Sequence, residues 1–480
     1  MGYDKVENKL AMKGNSGDRD PLIGKAVPND SMGGGLTSRE TAGEHASGRK
    51  FAVELINDRD SVKGGGYISE SAKNTGEAAG GETGGHGGNV YAAAAAHGLR
   101  PEDFCDFSSN INPLGPPPGL LPELKRHLER EICRYPAPQA APFRGALARE
   151  LGIPEEHLLI GNGANELIHL FFLWKRPKKV LIPAPTFSEY ERAARLAGAE
   201  VEYFRLLPEE VLSEEILAAQ IQAVQAQMDG SDLIVFCNPN NPTGMFYPRE
   251  LLEGIAQGAG EKGAAVFIDE SFFPFTGRPA PESFSGSVFR SAFYPGSAVS
   301  CPESGESRPG YGNETENTVV IYGNLWVATS LTKLWALPGL RLGYLLGPPE
   351  GIRSLTENGD PWRVNALAQR AGSYCLSQKQ YLEDSLELVK REREFLLREL
   401  EKIDGLKVYP GEANYLLLRG LSCGFSSADL CRKLAARGIL IRDASNFPGL
   451  DGSYFRIAVR PRSENLRLLS ALQDYLCGVM

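Results

Sequence analysis

Between residues 158 and 346 short apolar runs recur at 158–160, 179–182, 232–236, 265–268, 319–321 and 343–346. Runs of this length without polar alternation predict strands buried on both faces of a sheet. Several are separated by stretches with helical spacing, such as 190–197 and 249–256. The alternation predicts an α/β architecture with a mostly parallel sheet, because parallel neighbours need a crossover connection. After Pro361 a long helical pattern reaches Ile403, and a smaller α/β unit runs from there to the end of the chain.

Two segments break the rhythm. Residues 1–85 hold 17 glycines, no tryptophan and no cysteine. They offer too little apolar surface to offset chain entropy, and the prediction is a disordered extension. The interval 281–317 is rich in serine, glycine and proline and reads as a surface insertion, partly mobile.

Composition changes this picture little. A chain of 480 residues with 42% hydrophobic content can bury a large core and fill two lobes. The net charge of −9 leaves no basic footprint for nucleic acid or an anionic membrane, although local basic pockets stay possible. Eight cysteines are scattered without CxxC or metal-type spacing, so reduced thiols are expected, with neither a disulfide framework nor a metal site. No apolar run is long enough to span a bilayer and no signal peptide is recognisable, so the expected location is the cytoplasm.

The candidate chemistry centres on Ser330-Leu-Thr-Lys333-Leu-Trp-Ala-Leu-Pro338-Gly-Leu-Arg341. Small and apolar residues around Lys333 favour a neutral amine, while Ser330 and Arg341 are available for a phosphate. Four further features fall at the carboxyl ends of predicted strands or in the small lobe. Gly161-Asn-Gly163-Ala164-Asn165 opens a helix and can aim backbone N–H groups at an anion, although glycines there also serve as plain turn formers. Asn238-Pro-Asn240-Asn241-Pro242-Thr-Gly244 is a tight loop in which the Asn241 amide is a neutral donor. Asp269-Glu270 ends an apolar strand and calls for a cationic partner, either a ligand or a protein arginine. Phe455-Arg456-Ile-Ala-Val-Arg460 places two arginines four residues apart, on one face of a predicted strand, where they could grip a carboxylate or phosphate.

Taken together, in this order, these motifs resemble the fold-type I pyridoxal-phosphate enzymes of the class I/II aminotransferase group, over about residues 86–480. The resemblance implies a large cofactor-binding domain over 131–360, with its mostly parallel sheet sandwiched by helices. It also implies a smaller α/β domain over 361–480, with 86–130 as an N-terminal arm that completes the small domain. The implied cofactor is pyridoxal 5′-phosphate, with Lys333 as the Schiff-base lysine and Asp269 as partner of the pyridine nitrogen. Asn241 would bond the cofactor 3′-oxygen, Ser330, Arg341, Ala164 and Asn165 would hold its phosphate, and Phe187 would stack on its ring. Tyr135 matches a tyrosine that reaches the neighbouring subunit's cofactor, which implies a homodimer.

One departure narrows the family. Where the usual aminotransferase has a tyrosine three residues after the pyridine aspartate, this chain has Phe272. The arm, with His86-Gly-Gly-Asn89 and Asp106-Phe-Ser-Ser-Asn110-Ile-Asn112-Pro-Leu-Gly, is similar to that of the L-threonine-O-3-phosphate decarboxylases, a subfamily close to the histidinol-phosphate aminotransferases. The resemblance implies loss of carbon dioxide from a phosphorylated amino-acid substrate, with Arg456 on its carboxylate and Arg442 or Arg460, with His86 and Asn112, on its phosphate. Transamination of histidinol phosphate is the alternative on the same scaffold. A non-catalytic cofactor-binding regulator is more remote. Such a protein needs a DNA-binding module, and residues 1–85, with 11 Lys/Arg against 13 Asp/Glu, show no helix-turn-helix pattern.

Overall fold

A computed structural model describes residues 87–206, 214–279, 282–285 and 323–478. The glycine-rich extension, His86, the run at 319–321 and most of the interval 281–317 lie outside those residues. The chain opens with α1 (Val90–His97), β1 (Cys105–Asp106), α2 (Leu120–Ile132) and α3 (Ala141–Leu151). There follow β2 (Leu158–Gly161), α4 (Ala164–Lys175), β3 (Lys179–Ala184), α5 (Glu189–Leu196), β4 (Glu200–Arg205) and α6 (Glu214–Gln227). Next come β5 (Leu233–Cys237), α7 (Arg249–Glu261), β6 (Ala265–Asp269), β7 (Leu325–Ser330), the single turn α8 (Leu331–Leu334) and β8 (Gly343–Leu346). Helices α9 (Pro349–Glu357), α10 (Ala366–Cys375) and α11 (Lys379–Leu400) lead to β9 (Leu406–Tyr409) and β10 (Tyr415–Gly420). The last elements are α12 (Ser427–Ala436), β11 (Ile439–Leu440), β12 (Arg442–Asp443), β13 (Tyr454–Ala458) and α13 (Arg462–Leu476).

Seven strands form the main sheet in the order β2-β8-β7-β6-β5-β3-β4, parallel except for β8. Strand residues alternate between two cores, as the period of two demands. Ile234, Phe236, Val266 and Ile268 enter the core built with α3, α7 and α10. Leu233, Val235, Ala265 and Phe267 enter the opposite one, with α4, α5 and α9. On that second face Phe171 lies with its ring 4.9 Å from Phe267 and 5.0 Å from Trp326. Truncating such a ring costs about 3–5 kcal/mol. The sheet is therefore covered on both sides by helices, which is why its strands read as unbroken apolar runs.

Strands β4 and β7 were not expected from the apolar pattern. β4 is an edge strand in which only Phe204 is fully buried, and β7 ends in the polar pair Thr329-Ser330. The pattern after Pro361 is not one helix. It breaks between α10 and α11 at Leu376-Ser377-Gln378, and α10 buries Ala368, Ala371 and Cys375 in the same core as the large sheet.

The smaller lobe is a four-stranded sheet in the order β12-β13-β10-β9, packed with α11, α12 and α13 around Leu396, Leu430, Phe455 and Leu468. The arm joins it: β1 pairs in parallel with β11, and Phe107 is fully buried in that lobe's core. No helix among the described residues is long and apolar enough to cross a membrane.

The described start of the 281–317 interval is not a surface feature, contrary to expectation. Ser283, Phe284 and Ser285 are buried, because the carboxylate of Glu270, itself fully buried, accepts four hydrogen bonds from them. Two come from serine hydroxyls at 2.6 and 2.7 Å and two from backbone amides at 2.8 and 3.0 Å. Burial pushes the Glu270 carboxyl upward and these donors oppose it. Glu270→Ala would leave the donors unsatisfied inside the protein. It is expected to lower stability by about 3 kcal/mol, as read by urea denaturation of the cofactor-free protein.

Candidate active site

A cavity of about 600 Å³ opens at the carboxyl ends of the parallel strands, between the large sheet, the arm and the small lobe. Open α/β sheets bind ligands at that end of their strands. β5 ends in Cys237, β6 in Asp269 and β7 in Ser330, and all three line the cavity. Lys333 follows Ser330 on the single turn α8 and faces the same space. Burial, followed by the nearby guanidiniums of Arg456 and Arg341, pulls the Lys333 amine down to about 8, with Asp269 opposing.

Among the described residues no arginine pairs with Asp269. Its Oδ1 accepts the Ser271 amide at 2.9 Å and its Oδ2 accepts the Tyr190 hydroxyl at 2.8 Å. Burial nevertheless pushes the carboxyl upward, because the neutral donors of Ser271 and Tyr190 and the more distant Lys333 do not replace water. The Ser271 hydroxyl accepts the Ser330 amide at 2.9 Å, which ties the ends of β6 and β7 together.

On one flank the first turn of α4 has no side-chain cap, and Ala164 and Asn165 line the cavity with free helical N–H groups. Gly163 just before it has φ +82°, and a Cβ there would lie 2.6 Å from Nη2 of Arg341. Glycine is therefore required both for the backbone and for the guanidinium to reach the helix start. Arg341, Ser330 and this N-terminus form one anion cup.

The loop 238–244 divides its asparagines by role. Asn238 bonds Tyr247 through both backbone groups of that residue, and Asn240 bonds Pro185, Thr186 and Thr243. Asn241 alone lines the cavity. Its Oδ1 accepts from Arg456 Nη1, which leaves its Nδ2 as a donor toward the cavity. Arg456 also donates to the Ser108 carbonyl of the arm at 2.8 Å, and burial pulls it down to about 10. Arg442 is equally buried; it donates to Asn446 at 2.7 Å and stands over Phe447. Neither arginine makes an ion pair among the described residues.

The structure gathers Lys333, Asp269, Asn241, Ser330, Arg341, Ala164, Asn165, Phe187, Arg456, Arg442 and Arg460 around one cavity. Two expectations are corrected. Arg460 lies beyond the end of β13 rather than on its face, and its guanidinium is paired with Glu464 at 2.8 Å. Asn112 does not line the cavity: it is buried, and its amide donates to the Leu334 carbonyl at 2.7 Å and the Ser385 hydroxyl at 2.8 Å. Those bonds, with the Asn112 amide N–H on the Lys333 carbonyl at 3.0 Å, clamp the lysine turn instead. Tyr135 stands away from this chain's own cavity, 81% exposed, with its ring 4.8 Å from Trp362. His86 lies outside the described residues.

Tyr190, Ser271, Ser108 and Phe447 were missed. For Tyr190 a signal existed, since it lies three residues after Phe187 at the start of a helix and so shares its face. The others depend on contacts between distant segments.

A family model described as aminotransferase class I and II matches residues 102–472. The chain is similar to the threonine-phosphate decarboxylase of Salmonella typhimurium, with 34% identity over 395 residues, covering 82% of this chain and 97% of the relative. A histidinol-phosphate aminotransferase from Desulfitobacterium hafniense is 33% identical over 381 residues, covering 78% and 92% respectively. The crystal structure of L-threonine-O-3-phosphate decarboxylase from Porphyromonas gingivalis superposes with a TM-score of 0.62 at 26% identity, over 77% of this chain and 98% of that one.

A lysine with its amine near 8 reacts as a nucleophile where exposed lysines are still ammonium. Reductive labelling of the cofactor-free protein with a small aromatic aldehyde is expected to modify Lys333 with a midpoint near pH 8, as read by peptide mass spectrometry. Labelling that rises only above pH 10 would contradict the geometry.

Proposed function

Because the chain belongs to the class I and II aminotransferase family, we propose that it uses pyridoxal 5′-phosphate to decarboxylate L-threonine O-3-phosphate to (R)-1-amino-2-propanol O-2-phosphate in cobalamin biosynthesis. The residues around the cavity fit the cofactor. The uncapped helix start with Arg341 and Ser330 suits its phosphate, and Asp269, a buried carboxylate that makes no ion pair among the described residues, suits its protonated ring nitrogen. Lys333 supplies the amine to hold it and Phe187 an aromatic face for its ring. When bound, pyridoxal 5′-phosphate supplies an electron sink for the pair left on Cα as the carboxylate departs as carbon dioxide.

The chain's own residues set the direction of the reaction. Which Cα bond breaks depends on which one is held across the cofactor plane, and Arg456 sets that by gripping the substrate carboxylate. The ammonium form of Lys333, still populated near neutral pH because its amine titrates at about 8, then returns a proton to Cα and leaves the amine neutral. The absence of a tyrosine at 272 leaves Asn241 as the neutral donor to the cofactor's 3′-oxygen. Phe272 instead packs edge-on against Tyr415, with ring centroids 4.9 Å apart.

The observation that carries the substrate reading is the pair of buried guanidiniums at one end of the cavity, Arg442 and Arg456, which make no salt bridge among the described residues, Asp443 and Asp106 acting on them only from a distance. Buried cations without partners are costly, and a substrate bearing both a carboxylate and a phosphate relieves them. Arg460 lines the same region, but its charge is shared with Glu464. A homodimer belongs to the same reading. Tyr135, Trp362 and the side chains Leu121, Leu128 and Ile132 of α2 are exposed, and a second copy would cover them and receive Tyr135 at its cofactor phosphate. A cytoplasmic location belongs to it as well.

Incubation with threonine phosphate is expected to release carbon dioxide in step with aminopropanol phosphate, and Lys333→Ala to abolish both. Histidinol phosphate with 2-oxoglutarate is expected to yield no glutamate; glutamate formed without carbon dioxide would overturn the assignment in favour of transamination. Sedimentation equilibrium is expected to give about twice the chain mass of 52.1 kDa, and a monomer would remove the role of Tyr135.

A further inference from the structure

Tyr190 has no part in the reading above, yet it touches two of the groups that define the site. It is fully buried in the second turn-face of the large sheet's core. Its hydroxyl donates to Asp269 Oδ2 at 2.8 Å, and its ring meets Phe187 edge-on, with centroids 5.6 Å apart and planes at 81°. A carboxylate can accept about four hydrogen bonds. Here the chain supplies Tyr190 to one oxygen and the Ser271 amide to the other, with the Ser271 hydroxyl also stabilising the carboxylate, and Asp269 still lines the cavity.

The titratable groups around this carboxylate are Tyr190, Lys333, Cys237 and Tyr415. Burial, with Asp269 and Cys237 beside it, pushes the Tyr190 phenol well above its ordinary value, so it stays a neutral donor over the whole working range. The Cys237 thiol is likewise pushed up by burial and stays neutral. Of these four groups Lys333 is the one whose amine titrates at about 8, and it lines the same cavity.

From this geometry we infer that Tyr190 is a positioning residue for the reaction: its hydroxyl keeps the Asp269 carboxylate ionised and aimed at the ring nitrogen of the cofactor, while its ring buttresses Phe187. The inference rests on the cofactor reading of the site. A hydrogen bond to the charged form favours that form, and it is strongest where water is excluded. Without the hydroxyl, Asp269 competes for the ring proton. A neutral ring withdraws fewer electrons from Cα, so turnover falls, while the arginines that bind the substrate are untouched.

The test uses the holoenzyme and the substitution Tyr190→Phe, which keeps the ring and its contact with Phe187. Turnover is expected to drop about tenfold, the loss of one hydrogen bond to a buried charge, with KM for threonine phosphate within about twofold. The pH midpoint of the cofactor's visible band is expected to move upward, because a less electron-withdrawing ring leaves the nitrogen joined to Lys333 more basic. Cofactor dissociation, measured by equilibrium dialysis, is expected to weaken.

In an Asp269→Asn background the same substitution is expected to change neither the band nor the dialysis constant, since the charge it serves is gone. A silent Tyr190→Phe, or an equal loss in both backgrounds, overturns the inference and leaves the cofactor reading standing. Wild-type protein that shows no visible band with pyridoxal phosphate overturns both.

Discussion

A carboxylate is held in the protein interior at the carboxyl end of β6, the middle strand of seven, with no arginine to balance it. Much of the site follows from that placement. Asp269 cannot share water's solvation, so the chain supplies a backbone amide and a phenol as neutral donors and leaves the cationic partner to a ligand. Its strand neighbours in register, Cys237 and Ala328, are small and uncharged, which keeps the strand ends close and dry. Across the cavity, burial and then the guanidiniums of Arg456 and Arg341 pull the Lys333 amine down, and burial pulls Arg456 down. The cations gathered on one side and the Asp269 carboxylate at the end of β6 are the charges on which the proposed ligand reading rests.

The arm between residues 105 and 115 ties these charges into a single frame. Its β1 pairs with β11 of the small lobe, its Ser108 carbonyl holds Arg456, and its Asn112 clamps the carbonyls of Lys333 and Leu334. Tyr381 and Ser385 on α11 close the same knot from the other side. A short segment thus connects the arginine proposed for the substrate carboxylate with the backbone of the proposed cofactor lysine. Because each contact is a buried hydrogen bond to backbone or amide, small displacements of the arm cost free energy at both places.

Legibility in the sequence followed the range of the interaction. Strands β2, β3, β5, β6 and β8 were readable because a strand covered on both faces must be apolar at every position. β4 was not, since an edge strand needs one buried side chain only, here Phe204. The residues proposed for the cofactor came to notice because each sits at a strand end or helix start with a local signature: Gly163 before α4, Asn241 in a proline-bound loop, and Lys333 three residues after Ser330. The substrate side was read less well. Asn112 lies in a loop whose sequence announces a turn but not which carbonyl its amide will meet, 222 residues later in the chain at Leu334. Arg460 was assigned to a strand that ends two residues earlier at Ala458, and Glu464 on the next helical turn takes its guanidinium.

By itself the sequence determined the α/β class, most strands of the large sheet and the family resemblance, and it singled out the lysine, aspartate and helix-start residues proposed for the cofactor, because these depend on spacing and on local backbone chemistry. Tertiary structure alone decided that Tyr190 supports Asp269, that Arg456 orients Asn241, that Asn112 anchors the lysine turn rather than a ligand, and that Glu270 is satisfied by serines and amides instead of a cation. Each of those outcomes is a choice among donors and acceptors on separate segments. A buried polar group must find a partner, but periodicity carries no record of which distant partner the fold brings within 3 Å.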